Sequence, residues 1–307
     1  MKLIRILLLT LCLGGGAALT YVLWQNRAGS GARPTVAPAF QLAGKSTEIG
    51  DQLLTRLMPV NDLDEKELGD AIASRCYSSA ESTGSGIYLN DLVRHLTVFA
   101  KKPFTYRVIL VDWGDVPNAC ALPGGVILVT QGLLHVVRTE SELAGVLGHE
   151  IGHVELGHCF EAVKFELLSR KVTTLPLGEI ADMANNLLLR TAYSKTQEND
   201  ADGYGYNLIL ETRYDPRGFG NAFKRLMEYD STRVPEKESF NVVRDYFQSH
   251  PSTNLRYEKF SGRAIVWWDD HPDSLRYSGA INLKEKVSFY TRPEKSEWVP
   301  RTDPQSK

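Results

Sequence analysis

Apolar residues recur at helical spacing, three and four positions apart, along much of this chain. Between Thr139 and Phe160, the residues Leu143, Val146 and Leu147 share one helical face. Thr139 followed by Glu142 fits an N-terminal capping box. Further helices are predicted near residues 47–57, over 62–75, 88–100, 180–191 and 219–229, and as a short helix containing Arg256. The chain is therefore predicted to be mostly helical.

Two segments have the composition of β-strands. Phe104–Val111 is rich in β-branched and aromatic residues, and Val126–Thr130 is a short apolar run that follows Gly124 and Gly125. The second strand could belong to a plain core hairpin, or it could be an edge strand to which an extended peptide adds by backbone pairing. Few strands among many helices predict an α+β fold with a small sheet.

An uncharged segment of nineteen residues, Ile6–Trp24, follows Lys2 and Arg5 at the N-terminus. This length can span a bilayer, and the basic residues favour the cytoplasmic side for the N-terminus. A cleaved signal peptide is the alternative, since residues 16–18 are small. We favour an uncleaved, single-pass anchor at residues 1–24 because the apolar run continues to Trp24.

Composition divides the rest of the chain. Residues 25–45 are rich in Gly, Ala and Pro and are predicted to be a linker, residues 46–265 a folded domain, and residues 266–307 a C-terminal extension of unknown role. The net charge of −2 gives no indication of a nucleic-acid partner, and the oligomeric state is left unassigned. Of the cysteines beyond the anchor, Cys76 and Cys120 could pair in an oxidising compartment, whereas Cys159 is predicted to be a buried small residue.

The helix predicted from Thr139 carries a metal-binding pattern. His149 and His153 lie one turn apart on one face, so both imidazoles can bind one Zn²⁺, and Glu150 can act as a general base. An HExxH sequence also arises by chance in a helix. Four glycines nearby, which would each weaken a helix, indicate that the helix packs closely against a neighbour: Gly145, Gly148, Gly152 and Gly157.

A zinc site of this kind needs a third protein ligand. The metzincin pattern would place glycine at position 156 and histidine at 159, where this chain has Leu156 and Cys159. His158 is nine positions beyond His149, on the far side of an ideal helix, and is expected to be structural or exposed.

Two acidic segments could supply the third ligand. Glu198 is the better candidate, because Asp202 one turn later could accept the spare N–H of a ligating histidine. Glu179, with Asp182 behind it, is a rival. A solvated acidic patch is the alternative for the first segment, and spacing alone does not decide.

Four motifs, in this order, resemble the HtpX-like zinc metallopeptidases, the family that also contains the CAAX-prenyl endopeptidases and the periplasmic BepA and LoiP-type proteases. The resemblance covers roughly residues 88–260. The motifs are Asn118-Ala119 with Pro123-Gly124-Gly125, the HEIGH sequence of residues 149–153, Glu198 to Asp202, and Ser249-His250-Pro251 with Arg256.

The resemblance implies a zincin-like domain that binds one zinc ion through His149, His153 and Glu198. Glu150 would be the general base, and His250 would lie near the scissile carbonyl or the zinc. Asp202 and Arg256 would support the ligands. Substrate would bind to the strand that begins with Gly124, Gly125, Val126, Ile127 and Leu128. Lys195 stands where many members carry arginine, which leaves a supporting ion pair in doubt.

The predicted function is a zinc-dependent endopeptidase acting on envelope or misfolded proteins, anchored in the bacterial cytoplasmic membrane with its catalytic domain in the periplasm. A secreted periplasmic protein is the alternative location. The chain has neither the extra membrane helices of HtpX nor the helical-repeat tail of BepA, so it is most similar to the single-domain periplasmic branch. An envelope assembly or chaperone-like factor with latent or gated peptidase activity is the alternative function, and a zinc hydrolase of non-peptide esters or amides is a third.

Overall fold

The computed structural model describes residues 61–75, 84–164, 176–188, 192–232, 250 and 253–301. The helices are α1 (Asp62–Ala73), α2 (Gly84–Leu96), α3 (Gln131–Val136), α4 (Glu140–Glu155), α5 (Leu177–Leu188), α6 (Lys195–Glu211), α7 (Arg217–Thr232), α8 (Thr253–Asp270) and α9 (Ala280–Glu285). The strands are β1 (Arg107–Val111), β2 (Ala119–Leu122), β3 (Val126–Thr130), β4 (Arg276–Tyr277) and β5 (Trp298–Val299). The predicted α+β class, mostly helical with a small sheet, is confirmed.

The main sheet has the order β1-β3-β2. Strand β3 pairs in parallel with β1 and in antiparallel with β2, and all five of its residues are buried. Of the two alternatives for β3, the core hairpin is the one observed, formed with β2, and the edge strand is excluded because both backbone edges of β3 are already hydrogen-bonded. An uninterrupted apolar run is typical of a strand buried on both faces. Val126, Ile127 and Leu128 consequently have no free backbone edge for a substrate, whereas Gly124 and Gly125 lie in the turn before β3. The edge of the sheet on this side is β2.

The glycine pair before β3 forms a tight turn against α1. Gly124 and Gly125 have φ angles of 76° and 86°, in the left-handed region that favours glycine. A Cβ atom on Gly124 would lie 2.7 Å from the Cα atom of Lys66 on α1. The pair is thus required by backbone conformation and close packing.

Helix α4 is buried along nearly its whole length between α6 and α7. A Cβ atom on Gly145 would lie 2.9 Å from the Phe219 Cα of α7, and one on Gly152 would lie 2.8 Å from the Ala201 carbonyl oxygen of α6. Gly148 meets α6 in the same way. The predicted close packing is confirmed for these three glycines. Gly157 instead follows the end of α4 with a φ of 74°.

The segment after α8 belongs to the same folded unit as the helices before it. The expected short helix around Arg256 is the 18-residue α8, so the predicted boundary between residues 265 and 266 falls inside a helix. Strand β4 hydrogen-bonds to the loop between α6 and α7 through Tyr277 N–H and the Arg213 carbonyl, 2.8 Å apart. The first N–H groups of α4, those of Glu140 and Ser141, each donate at 3.0 Å to carbonyls of residues 279 and 278.

Other predicted bounds differ by a few residues. Helix α2 begins at Gly84 rather than at residue 88, and β1 begins at Arg107 rather than at residue 104. Val98 and Phe99, at the end of the helix predicted over residues 88–100, are 71% and 46% exposed because the chain turns into a 3₁₀ helix at Thr97.

Several predictions concern residues that the structure does not describe. The anchor, the linker, the helix at 47–57 and Cys76 all lie outside the described residues. Among the helices that are described, none combines the length and the apolar character needed to cross a membrane.

Candidate active site

Helix α4 positions the two histidines and the glutamate of the HEIGH sequence. Thr139 caps the helix by accepting a hydrogen bond from the Glu142 backbone N–H at 3.2 Å. The Glu142 carboxylate accepts from the N–H of Arg138, not of Thr139, so the predicted capping box is only half formed. One turn apart on α4, the buried His149 and His153 have their Nε2 atoms 3.0 Å apart.

Helix α6 brings Glu198 to these imidazoles. The Glu198 carboxylate oxygens lie 3.5 Å from His153 Nε2 and 3.7 Å from His149 Nε2. The rival Glu179 is exposed in the first turn of α5, and Asp182 forms an ion pair with Arg75. The structure therefore brings Glu198 to the histidines and leaves the other acidic pair at the surface.

Asp202 and Arg256 lie directly behind these side chains. The Asp202 Oδ1 atom is 3.0 Å from His149 Nδ1, and Arg256 contacts both Asp202 oxygens, at 2.6 and 3.0 Å. Arg256 Nη1 is also 2.9 Å from Glu198 Oε2. Burial opposes ionisation of Asp202, but His149 and Arg256 hold the pKa of its carboxyl below the usual range. Burial also opposes ionisation of Glu198, and the facing His250 and His153 hold its pKa well below the usual range. Both groups are therefore carboxylates in the folded protein.

His153 has two neighbours that the sequence did not reveal. Its Nδ1 atom lies 3.1 Å from Nδ1 of His158, and the ring of Tyr193 stacks on it with centroids 3.8 Å apart. Of the two expected positions for His158, structural or exposed, the structure shows the buried, structural one, because the chain turns at Gly157 and departs from an ideal helix. Burial lowers the pKa of His153, which favours the neutral imidazole that a metal requires. No motif marked Tyr193, which lies in the irregular segment before α6.

His250 enters the same cluster from the segment before α8. Its Nδ1 atom is 2.9 Å from Glu198 Oε1 and 3.1 Å from His149 Nε2. Four buried residues each bring one possible ligand atom to within 4.8 Å of the others: His149, His153, Glu198 and His250. His250 is thus the fourth residue of this donor set.

Glu150 is fixed through one oxygen only. Its Oε2 atom accepts a hydrogen bond from the Ala121 backbone N–H of β2 at 2.8 Å. The Oε1 atom is buried, has no hydrogen-bond partner within the described part of the chain, and lies 3.6 Å from His250 Nε2. One oxygen is therefore anchored to the sheet edge while the other faces the donor cluster.

The donor set fits a metal ion. The Nδ1 atoms of His149 and His153 contact Asp202 and His158, so N–H donation outward from Nδ1 leaves the Nε2 lone pairs facing each other at 3.0 Å. Two lone pairs and a carboxylate that converge in a buried space repel one another unless a cation lies between them. Two imidazoles with one carboxylate is a combination that holds catalytic zinc in other hydrolases.

Comparison with known proteins identifies the family. The sequence profile of Peptidase family M48 matches residues 87–264, more than half of the chain. The chain is 28% identical over 170 residues to the mitochondrial metalloendopeptidase OMA1 of Arabidopsis thaliana, covering 54% of this chain and 33% of that protein. It is 28% identical over 175 residues to the metalloprotease YcaL of Escherichia coli strain K12, and the match covers 52% of this chain and 62% of YcaL. It is 25% identical over 223 residues to the metalloprotease LoiP of the same organism, and the match covers 66% of this chain and 82% of LoiP.

The matched region thus covers about a third of OMA1 and under two thirds of YcaL. All three relatives are named as metalloproteases or metalloendopeptidases, in agreement with the predicted class of metalloendopeptidase. The resemblance inferred from the four motifs is confirmed. The chain belongs to Peptidase family M48.

Proposed function

We propose that this protein is a zinc-dependent endopeptidase that cleaves polypeptides of the bacterial envelope or misfolded proteins there. The observation that carries the proposal is the convergence of His149, His153 and Glu198 beside a glutamate with one unpaired oxygen, Glu150. We assign one zinc ion per chain to these three ligands. When bound, zinc would polarise the scissile carbonyl and favour deprotonation of the attacking water.

Each protein group then has a defined task. Glu150 accepts the proton of the attacking water at Oε1, because Oε2 is already held by the Ala121 N–H. The same oxygen can pass the proton to the departing amine. Asp202 keeps the His149 ring oriented through Nδ1, and Arg256 holds Asp202 and Glu198 in place.

We place the polypeptide substrate along β2 and not along β3. Strand β2 pairs with β3 through one edge, and it is the strand whose backbone contacts Glu150. An extended chain beside β2 would lie next to the donor cluster, which is the geometry that peptide cleavage needs. This proposal replaces the predicted substrate strand of residues 124–128.

The proposed location is the bacterial cytoplasmic membrane, with the catalytic domain in the periplasm. It rests on the uncharged run Ile6–Trp24 after two basic residues and on the likeness to two Escherichia coli metalloproteases. The expected contact with the membrane is therefore through the N-terminal segment alone.

The exchange Glu150→Gln tests the proposed catalysis. It keeps the size of the side chain and the three ligands while removing the base, so casein cleavage by the purified protein should fall by about 10²–10⁴-fold. Zinc content, measured by atomic absorption, should stay near one per chain. Glu179→Gln makes the same chemical change at an exposed site and should leave both quantities unchanged. Unchanged cleavage in Glu150→Gln would overturn the endopeptidase proposal.

A second candidate function, an assembly or chaperone-like factor with latent peptidase activity, is favoured by the position of His250. Its Nδ1 atom lies within the donor cluster, where it could fill the coordination position that a catalytic site keeps open. If His250 blocks the site in this way, His250→Ala should raise basal casein cleavage. If His250 instead stabilises the oxyanion, the same exchange should lower turnover by about 10²–10³-fold.

A further inference from the structure

A cleft lies between α2, β1 and the segment that follows α9, and it shares no residue with the candidate active site. Its cavity volume is about 570 Å³, within the range of sites that hold small organic ligands. Apolar side chains line part of it: Ile87, Tyr88, Val108 and Val287. Polar side chains line the rest: the basic Arg94, Arg107 and Lys286, the acidic Asp91, and the uncharged Asn90, Ser288 and Thr291.

Two of these three basic side chains have acidic partners. Arg94 forms an ion pair with Asp91, and Arg107 Nη2 lies 2.9 Å from Asp70 Oδ1. Lys286 has no acidic partner among the described residues. Its Nζ atom lies over the ring face of Tyr88, 5.8 Å from the ring centroid. Lys286 is therefore the basic side chain of this wall that lies beside an aromatic surface without an acidic partner.

The backbone of Lys286 is in a conformation that usually selects glycine. Its φ and ψ angles are 56° and 44°, and it is the one non-glycine residue with positive φ in the described ranges. The residue ends α9, a position where glycine or asparagine is the usual choice. A lysine in this strained backbone conformation is a candidate for a functional role of its side chain, here in the wall of the cleft.

We propose that this cleft binds the carboxylate of an apolar ligand, the group that a polypeptide presents at a C-terminus ending in an aliphatic residue. The Lys286 ammonium, which has no acidic partner among the described residues, matches a single negative charge. The apolar part of the wall accommodates the aliphatic body. The site is separate from the proposed zinc centre, and its occupancy does not depend on catalysis.

The test uses the full-length protein carrying Glu150→Gln, so that peptides are bound and not cut. The probes are an acetylated hexapeptide ending in Val-Leu with a free carboxylate, the same peptide as its C-terminal amide, and sodium octanoate. Calorimetric titration should show binding of the free-acid peptide and about 10- to 100-fold weaker binding of the amide. Adding Lys286→Gly should weaken binding of the free acid by a similar factor. Lys284→Ala removes an exposed lysine of α9 and should change nothing.

The outcomes separate the sources of the carboxylate. Binding of octanoate without the peptide would support the site and assign it to small carboxylic acids. Failure of both to bind, equal affinity for acid and amide, or unchanged affinity in Lys286→Gly would each overturn the proposal. Glycine suits the left-handed backbone, so the thermal midpoint of Lys286→Gly should not fall. If it does fall, Lys286→Asn replaces it, since asparagine also tolerates this conformation.

Discussion

Glu198 is held from two sides, by imidazoles of α4 and His250 on one and by Arg256 on the other. This arrangement keeps it ionised and within reach of a metal. We expect Glu198→Ala to lose most of the bound zinc, because two histidines alone leave the site without its third ligand. Glu179→Ala should retain about one zinc per chain. Atomic absorption on the two purified proteins decides, and an empty site in Glu179→Ala with a filled one in Glu198→Ala would reverse the assignment.

Glu140 is a buried carboxyl that takes no part in the proposed chemistry. It accepts hydrogen bonds from the Tyr214 hydroxyl and from the Phe289 N–H, at 2.8 Å for the latter. Burial nevertheless raises its pKa to about 7, from an ordinary value near 4.5. The neutral form is thus favoured in the folded protein. Its contribution to stability is fully present below about pH 4.5 and is lost as the pH rises through about 7.

The exchange Glu140→Gln should remove this pH dependence. From pH 4.5 to 8 the wild-type protein should lose about 3 kcal/mol of unfolding free energy through this one group, following 1.36 kcal/mol per unit of pKa. Because other groups titrate in the same range, the informative quantity is the difference between wild type and Glu140→Gln in urea unfolding at several pH values. A difference that stays constant with pH would contradict the expectation.

The residues of the site differ in how far the sequence could identify them. The one-turn spacing of His149 and His153 was sufficient, because a helix fixes their relative position. Spacing left Glu198 and Glu179 as rivals, since the choice depends on how α6 packs against α4. For His158 the sequence leaves a structural and an exposed position open, because one glycine ends α4 before it. Tyr193 gives no signal, because stacking on an imidazole has no sequence pattern.

At the scale of elements, the active site depends on the close approach of α4 and α6. A Cβ atom on Gly205 of α6 would lie 2.7 Å from the His149 backbone nitrogen, whereas one on Gly203 would meet nothing within 4 Å. We expect Gly205→Ala to destabilise the protein by about 1–3 kcal/mol and to weaken zinc binding, because α4 must shift. Gly203→Ala should stabilise it by up to about 1 kcal/mol through helix propensity alone.

Urea unfolding and zinc titration of the two variants measure these effects. Both exchanges add the same methyl group to the same helix, so any difference between them reports the contact with α4. Equal stability of Gly205→Ala and Gly203→Ala would show that the two helices are not in tight contact.

The sequence predicts the helices and strands themselves better than it predicts which other elements each of them contacts. The strand at Val126–Thr130 was found because its composition is local information. Its place in the sheet stays open between a core hairpin and an edge, because β1, its partner on the other side, lies elsewhere in the sequence. The helix around Arg256 is expected to be short, whereas α8 has 18 residues.

For the whole molecule, the predicted division after residue 265 lies inside α8. The segment that follows α8 contains short strands and one short helix, and it has little periodicity that could mark it as part of a core. Its contacts are made by backbone groups, such as the Phe289 N–H, and by single side chains. Such contacts become visible only once the chain is folded.

The proposed topology gives a prediction for the intact chain in a bacterium. A phosphatase reporter fused after Lys307 should be active, because the C-terminus is expected on the periplasmic side of an anchor at residues 6–24. The fusion should sediment with membranes. Recovery of the fusion in the soluble periplasmic fraction would replace the anchor with a cleaved signal, and an inactive fusion would place the domain in the cytoplasm.

The beginning of α4 is closed by residues 278–289, which are synthesised long after it. The N–H groups of Glu140 and Ser141 donate to carbonyls at 279 and 278, and the Glu140 side chain accepts from Phe289. Until residues 278–289 have been synthesised, these groups lack these partners, so the start of the helix that carries both histidines is less stable. The proposed protease should therefore complete its cutting centre only after this segment has left the ribosome.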